Sequence, residues 1–115
     1  MTIEVEFYNC GEVRMGPPFN ACKIRLRGRW IPELPQDVTW QDRIAQSPDG
    51  QYTALVYWDT PKNEPGFRVV TVDELNKTVC QSERVLGICK EIWWGNNQFE
   101  WAAVLVNSGK ITVRH

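Results

Sequence analysis

The stretch SPDGQYTALVYW, residues Ser47–Trp58, decides the fold class of this chain, because a similar stretch, WGNNQFEWAAVL, follows at Trp94–Leu105. Each begins with a tight polar turn, continues with Gln and an aromatic residue, and ends in residues of the kind that are usually buried. A turn that leads into a short apolar run rich in β-branched and aromatic residues is typical of a buried strand. The doubling therefore predicts two similar β units in one chain.

The rest of the chain also has the periodicity of strands. Apolar residues alternate with glutamates in Ile3–Tyr8 and with lysine and arginine in Cys22–Arg29, which is the pattern of strands buried on one face. Only Gln36–Gln46 has room for a helix, of a single turn at most, because a proline precedes it and β-branched and aromatic residues lie inside it. Four further segments are rich in β-branched and aromatic residues and are separated by turn formers: FRVVTV, VLGICKEIWW, QFEWAAVLV and KITVR. We expect an all-β fold of about seven to nine antiparallel strands in two sheets.

When the two stretches are aligned, their turns match, Gln51 matches Gln98, and Tyr52 matches Phe99. In this pattern of turn and strand residues the chain resembles β-propeller blades, in which a short x-P-D-G turn leads into a buried strand. The resemblance covers about residues 44–80 and 88–115, without the Gly-His signature of some propellers. It implies antiparallel sheets packed together as a partial β-propeller, with fewer blades than a closed ring needs. Ordinary hairpin similarity, as in a β-sandwich, is the alternative.

Length and charge bound the class of protein. The chain has 115 residues, enough for a single all-β domain over residues 1–115 that folds alone. Its net charge is −1 and its pI is near 5.8, so we expect no nucleic-acid partner. The N-terminus lacks the pattern of a secretory signal, and the chain has no run of about 18 apolar residues. We expect a soluble, cytoplasmic protein that is a monomer when free and has no membrane partner.

The cysteines do not favour a metal site. Cys10, Cys22, Cys80 and Cys89 contain no CxxC pair, and the chain has one histidine, His115. Zinc sites usually draw on closely spaced pairs of these residues, so we expect neither a metal nor a cofactor. Bridges Cys10–Cys22 and Cys80–Cys89 would be compatible with an exported protein. Without an export signal, we expect four reduced thiols.

No arrangement of reactive residues indicates a catalytic site. Nucleophilic catalysis of the Ser-His or Cys-His kind needs an imidazole within reach of the nucleophile, and the only imidazole is on the last residue. Several aspartates could act as acid and base, but no spacing singles out two of them, and Asp49 is expected to form the SPDG turn. We therefore expect a protein that is not an enzyme.

Two other features are open to a binding interpretation. Lys23, Arg25, Arg27 and Arg29 place four positive charges on one strand face, where they could meet an acidic partner, although pairing with glutamates on the N-terminal strand is favoured. The chain has six tryptophans. Two, Trp58 and Trp101, are expected in the core, whereas at least one of each pair Trp30/Trp40 and Trp93/Trp94 is expected at the surface or at a sheet edge.

The middle of the chain is acidic, and this suggests a class of partner. Between Ile31 and Asn76 there are three bases and eight acids, namely Glu33, Asp37, Asp42, Asp49, Asp59, Glu64, Asp73 and Glu74. In size, charge and architecture the chain resembles bacterial toxin immunity proteins, which implies a non-catalytic module that neutralises a cognate toxin. If that toxin is a nuclease, its basic active site would suit an acidic surface. The alternative is a lectin-like carbohydrate-binding module that forms an oligomeric propeller. The residues expected to bind the partner are Asp37, Asp42, Trp58, Asp59, Glu64, Asp73 and Glu74.

Overall fold

The computed structural model describes residues 3–12, 20–107 and 110–114, and these ranges form two antiparallel sheets packed together. Ten strands lie in them: β1 (Glu4–Glu12), β2 (Asn20–Arg27), β3 (Trp40–Gln46), β4 (Tyr52–Trp58), β5 (Gly66–Asp73), β6 (Thr78–Gln81), β7 (Val85–Leu86), β8 (Ile88–Gly95), β9 (Gln98–Asn107) and β10 (Lys110–Arg114). The larger sheet has the order β1-β2-β3-β4-β5-β6, with β7 also paired to β5, and the smaller has the order β10-β9-β8. The expected all-β class is confirmed, and the arrangement is compatible with a partial β-propeller or a β-sandwich.

Strand β4 lies at the centre of the larger sheet and is buried on both faces. Ala54 and Val56 belong to the apolar cluster that joins the two sheets, whereas Leu55 and Tyr57 belong to a second cluster on the opposite face. A strand that is covered on both faces usually has a continuous run of apolar residues. This is why apolar and polar residues do not alternate in TALVYW. The first quoted stretch is therefore the middle of the core.

The segment between β2 and β3 covers the outer face of the larger sheet. Leu34 and Val38 pack against the second apolar cluster, and Trp40 meets the edge of the Tyr57 ring with centroids 5.5 Å apart. The prolines of this segment keep it extended, so that it lies over the sheet without forming a strand of its own.

The strands differ from the expectation in three places. Gln36–Gln46, which had room for a single helical turn at most, forms none, and Trp40–Gln46 pairs with β4 as strand β3. Strands β3 and β6 were not expected, and one expected segment is divided into β7 and β8, so the described ranges hold ten strands instead of seven to nine. The segment Val85–Trp94 is broken by Gly87, whose φ of 100° few other residues adopt.

The expectation of four reduced thiols was also wrong. Strands β1 and β2 pair with a bulge between Tyr8 and Gly11, and Cys10 and Cys22 are joined there by a disulfide, with Cα atoms 4.1 Å apart. Cys80 and Cys89 are free; the former is exposed on β6 and the latter is buried in the smaller sheet. Because spacing along the chain does not reveal this bulge, the pairing emerges only from the register. His115 and part of the NSG turn lie outside the described residues.

Candidate functional site

The residues expected to bind a partner do not lie together on one surface. Strands β4 and β5 pair along their full length, so Asp73 and Glu74 lie at one end of this pair, and Trp58 and Asp59 lie at the other. The two ends are roughly 20 Å apart at a rise of about 3.3 Å per residue. The acidic residues therefore form at least two separate groups.

At the Trp58 end, arginines of the chain itself engage the carboxylates. Arg68 Nε donates a hydrogen bond to Asp59 Oδ2 at 2.7 Å, and this bond raises the pKa of Arg68. Arg84 Nη1 lies 3.3 Å from Glu64 Oε1, and its other nitrogens donate to backbone carbonyls of the same loop. Trp58 is only 8% exposed. A partner's cation would have to compete with both arginines here.

Asp37 and Asp42 occupy two further positions. Asp42 lies in β3, is half-buried, and accepts a hydrogen bond from Arg43 Nη1 at 3.0 Å. Asp37 is exposed in the segment before β3, in the left-handed backbone region with φ 60°, at the edge of a groove of about 420 Å³. Of these two, Asp37 is the one that a partner could reach directly.

The Asp73 end forms a cleft with a volume of about 860 Å³. The start of β1, the end of β2, and the turns β3–β4 and β5–β6 all meet there. We call this the polar cleft; its lining residues are Glu4, Arg27, Gly28, Arg29, Trp30, Asp49, Gly50, Gln51, Glu74, Leu75 and Lys77. Surface loops held by a rigid sheet are common positions for binding sites.

The SPDG turn forms one wall of the polar cleft and is held rigidly. Ser47 Oγ donates to Asp49 Oδ1 at 2.7 Å, and the backbone N–H of Gln51 donates to the same oxygen at 3.0 Å. These hydrogen bonds lower the pKa of Asp49, the serine hydroxyl having the larger effect. Gly50 adopts a φ of 78°, which suits glycine. The expected role of Asp49 as the turn former is confirmed.

A second turn is bound to the first through Asp73. Its Oδ1 accepts hydrogen bonds from the backbone N–H of Leu75 and from the side chain of Gln51, at 3.1 Å each, and its Oδ2 accepts one from the Asn76 side chain at 2.8 Å. The Asn76 amide is the main reason that the pKa of Asp73 is lowered. Asp73 thus fixes two turns against each other, a structural role, and presents Glu74 to the cleft.

Several groups of the polar cleft have unused bonding capacity. Within the described part of the chain, Arg27, Arg29 and Lys77 make no ion pair and no side-chain hydrogen bond. Glu74 Oε2 is buried and has no hydrogen-bond partner there, which is costly for a carboxylate oxygen. The half-buried Trp30 lines the same cleft. The arrangement offers an acceptor, three cations and an aromatic surface to a ligand.

Lys23, Arg25 and Arg27 of the basic row lie on β2, which β1 partly neutralises as expected, whereas Arg29 lies beyond the end of the strand. Arg25 Nη1 lies 2.6 Å from Glu6 Oε1 on the neighbouring strand. The Arg25 guanidinium carbon also lies over the Tyr8 ring, 4.6 Å from its centroid. Glu4 is the register partner of Arg27, and both line the polar cleft. The sequence indicated the row but did not indicate that its end meets Trp30 and Glu74.

A second cleft, of about 490 Å³, opens between the two sheets. We call it the aromatic cleft; its lining residues are Tyr52, Val69, Thr71, Cys80, Gln81, Ser82, Trp94, Asn97, Gln98, Phe99 and Trp101. Trp101 is half-buried and packs against the apolar cluster that joins the two sheets, so its expected place in the core is confirmed in part, whereas Trp58 is buried as expected. Of the pair Trp30/Trp40, the former is half-buried and the latter is 4% exposed. The sequence signal for this cleft was the matched aromatic pair of the doubled stretch.

The described residues contain no group of three or more His, Cys, Asp or Glu side chains that could hold a metal ion. None of the described elements is a helix with the length and hydropathy needed to span a membrane. A scan against protein-family models, a search of curated proteins and a search of solved structures found no match to this chain.

Proposed function

We propose that this chain is a non-catalytic protein-binding module, a bacterial immunity protein that binds and neutralises a cognate toxin. The observation that carries the proposal is Glu74, whose buried Oε2 has no hydrogen-bond donor in the described part of the chain. A lysine or arginine of the partner that enters the cleft and displaces the groups covering this oxygen would supply the donor and form a charge-assisted hydrogen bond. Such a residue is expected in the active site of a nuclease, which binds phosphates.

The surroundings of Glu74 support a protein partner. Tryptophan and arginine are enriched in protein interfaces and among the residues that contribute most to affinity, and the polar cleft has Trp30 beside Arg27 and Arg29. The Trp30 ring could also stack on the inserted cation. Leu75, which is 74% exposed at the rim, would add apolar contact area.

The charges of the polar cleft refine the expected partner surface. Three acids and three bases line the cleft, so its formal charges balance. We expect a partner that inserts one basic side chain and surrounds it with carboxylates for Arg27, Arg29 and Lys77. The acidic groups elsewhere on the chain, such as the exposed Glu33 and Asp37, would act mainly on the rate of encounter.

The proposal also concerns the compartment in which the chain would bind the toxin. Cytoplasmic neutralisation is the expectation from the sequence. A disulfide such as Cys10–Cys22 is instead typical of oxidising compartments, because cytosolic reductants keep most thiols reduced. The proposal therefore includes a test of whether Cys10 and Cys22 are bridged in protein isolated from the cytoplasm and from an oxidising compartment.

The experiment is co-expression with the toxin encoded by the neighbouring gene, with cell survival and co-elution in gel filtration as readouts. We expect survival and a stable complex. Glu74→Gln and Leu75→Asp should each weaken binding at least tenfold, about 1.4 kcal/mol. The matched controls, Glu33→Gln and Leu86→Asp, change an exposed acid and an exposed leucine outside the polar cleft. They should change the affinity by less than about threefold, and for Glu33→Gln through the association rate alone. Death of the co-expressing cells, with no complex formed, would contradict the proposal.

A further inference from the structure

The aromatic cleft differs from the rest of the surface in its chemistry. None of its eleven described lining residues is charged, although 23% of the chain is charged. It shares no lining residue with the polar cleft. Its volume of about 490 Å³ lies within the usual range for small-molecule sites. The lining of this separate cleft therefore suits an uncharged ligand.

Half-buried aromatic rings from both sheets form its walls. The ring of Trp94 lies nearly parallel to that of Tyr52, at 12° with centroids 5.6 Å apart. The Phe99 ring meets Trp94 edge-on at 4.9 Å, and Trp101 lines the same cleft. These contacts hold the rings in fixed orientations, so that a ligand would meet a preformed aromatic wall.

The polar groups of the cleft are hydroxyls and amides. Thr71 lies on β5, and Asn97 and Gln98 lie at the turn into β9. Such groups can donate and accept hydrogen bonds without carrying charge. An aromatic wall beside neutral hydrogen-bonding groups suits a molecule with an apolar ring face and a hydroxylated edge.

We propose that the aromatic cleft binds a neutral saccharide, with one sugar ring against the aromatic wall and its hydroxyls bonded to the polar groups. A phosphorylated, sulfated or carboxylated ligand would lose water at this site without gaining a countercharge, which is unfavourable. The site is separate from the surface proposed for the toxin partner, because the two clefts have no lining residue in common.

The cysteines permit a site-directed test. Cys80 is exposed in the aromatic cleft, whereas Cys89 is buried with a pKa raised to about 12, and Cys10 and Cys22 are bridged. A maleimide therefore reacts at Cys80 first. A bulky fluorescein maleimide should fill the cleft, whereas methyl methanethiosulfonate adds only a small methylthio group, as the mixed disulfide Cys–S–S–CH3 with release of methanesulfinate.

The experiment begins with the unlabelled protein on an array of neutral, sialylated and sulfated glycans. We expect binding to neutral glycans alone. For the neutral oligosaccharide with the highest signal, the fluorescein adduct should bind at least tenfold more weakly, and the methylthio adduct should bind within about threefold of the unlabelled protein. Cys80→Ser, treated with the same maleimide, is the control and should keep its affinity.

A second variant covers the case in which the adduct perturbs the fold. Thr71→Val keeps the shape of the side chain, removes its hydroxyl, and should weaken binding several-fold with an unchanged unfolding midpoint. The proposal is overturned if no neutral glycan binds, if charged glycans or a polyproline peptide bind instead, or if the fluorescein adduct binds as well as the unlabelled protein. Loss of toxin binding with retained glycan binding would contradict the proposed function alone.

Discussion

The side chain of Gln41 makes both of its hydrogen bonds to the backbone of Cys89, in the other sheet. Gln41 Nε2 donates to the Cys89 carbonyl at 3.0 Å, and the Cys89 N–H donates to Gln41 Oε1 at 3.3 Å. Gln41 is completely buried. An amide can pair with a backbone N–H and C=O in the way that a neighbouring strand would. The pair therefore joins the two sheets where their apolar surfaces meet.

This pair leads to the first prediction. Gln41→Leu should lower the free energy of unfolding by roughly 1–3 kcal/mol for each backbone group left without a partner. Gln36→Leu, at an exposed position, is the matched control and should change it by less than about 0.5 kcal/mol. Urea denaturation followed by fluorescence measures both. Equal stabilities of the two variants would show that the pair does not stabilise the sheet contact.

The second prediction concerns the disulfide. Reduction of the Cys10–Cys22 bridge, which spans 12 residues, should lower the free energy of unfolding by about 2–4 kcal/mol, because it frees the unfolded chain. Mass spectrometry after alkylation should find one reactive thiol in the native protein, two after denaturation and four after denaturation and reduction. Four alkylated cysteines in denatured, unreduced protein would contradict the bridge.

Arg84 is the subject of the third prediction. Its guanidinium donates to the carbonyls of Asp59 and Glu64 at 2.8 Å each, so it fixes both ends of the loop between β4 and β5. Arg84→Met should lower the free energy of unfolding by about 2–4 kcal/mol, since hydrogen bonds to charged groups are worth more than neutral ones. Limited proteolysis should then cleave this loop. Arg29→Met is the control, and similar cleavage in both variants would argue against this role.

The fourth prediction is a pH dependence. The pKa values of Asp49 and Asp73 are lowered from 3.8, by the Ser47 hydroxyl in the first and by the Asn76 amide in the second. A carboxyl whose pKa is lower in the folded state stabilises the fold above 3.8, and the contribution is lost as the pH falls through the lowered value. We expect the free energy of unfolding to fall between about pH 4 and pH 2.

The Asp73→Asn variant should be less stable than the parent at pH 7 and should show a smaller fall in acid, because it lacks one of the two carboxyls. Asn76→Ala keeps the Asp73 carboxyl but removes its main hydrogen bond. Its plot of the free energy of unfolding against pH should therefore lie between those of the parent and of Asp73→Asn. Chemical denaturation at several pH values provides the measurement. Curves that run parallel for all three proteins would mean that Asp73 makes no such contribution.

Much of the fold could be predicted from local pattern. The alternation in β1 and β2, the apolar run of β4 and the turn at Asp49 all reflect interactions within a few residues, which sequence displays directly. Strand β3 was missed because its stability comes from pairing with β4 and from the buried contact of Gln41 with Cys89. Neither of these long-range interactions has a local signature.

The candidate sites were harder to predict. The sequence shows a row of arginines, an acidic middle and paired aromatic residues. It does not show which of these residues lie close together in the folded chain. Asp59 is near Glu64 in sequence and both are paired with arginines, whereas Glu74 lines the same cleft as Trp30 only because four strand ends and turns converge. Position along the chain is a poor guide to such neighbours, since a sheet brings distant segments together.

The sequence by itself determined the all-β class, the strand faces and the turns, because periodicity and turn chemistry act over short distances. The tertiary structure alone decided the register that bridges Cys10 with Cys22, and the stacking of Tyr52 on Trp94 that forms one wall of the aromatic cleft. These contacts depend on the packing of one sheet against the other and on the bulge in β1. Such packing is a property of the folded chain as a whole, because the free energy of each contact depends on its neighbours.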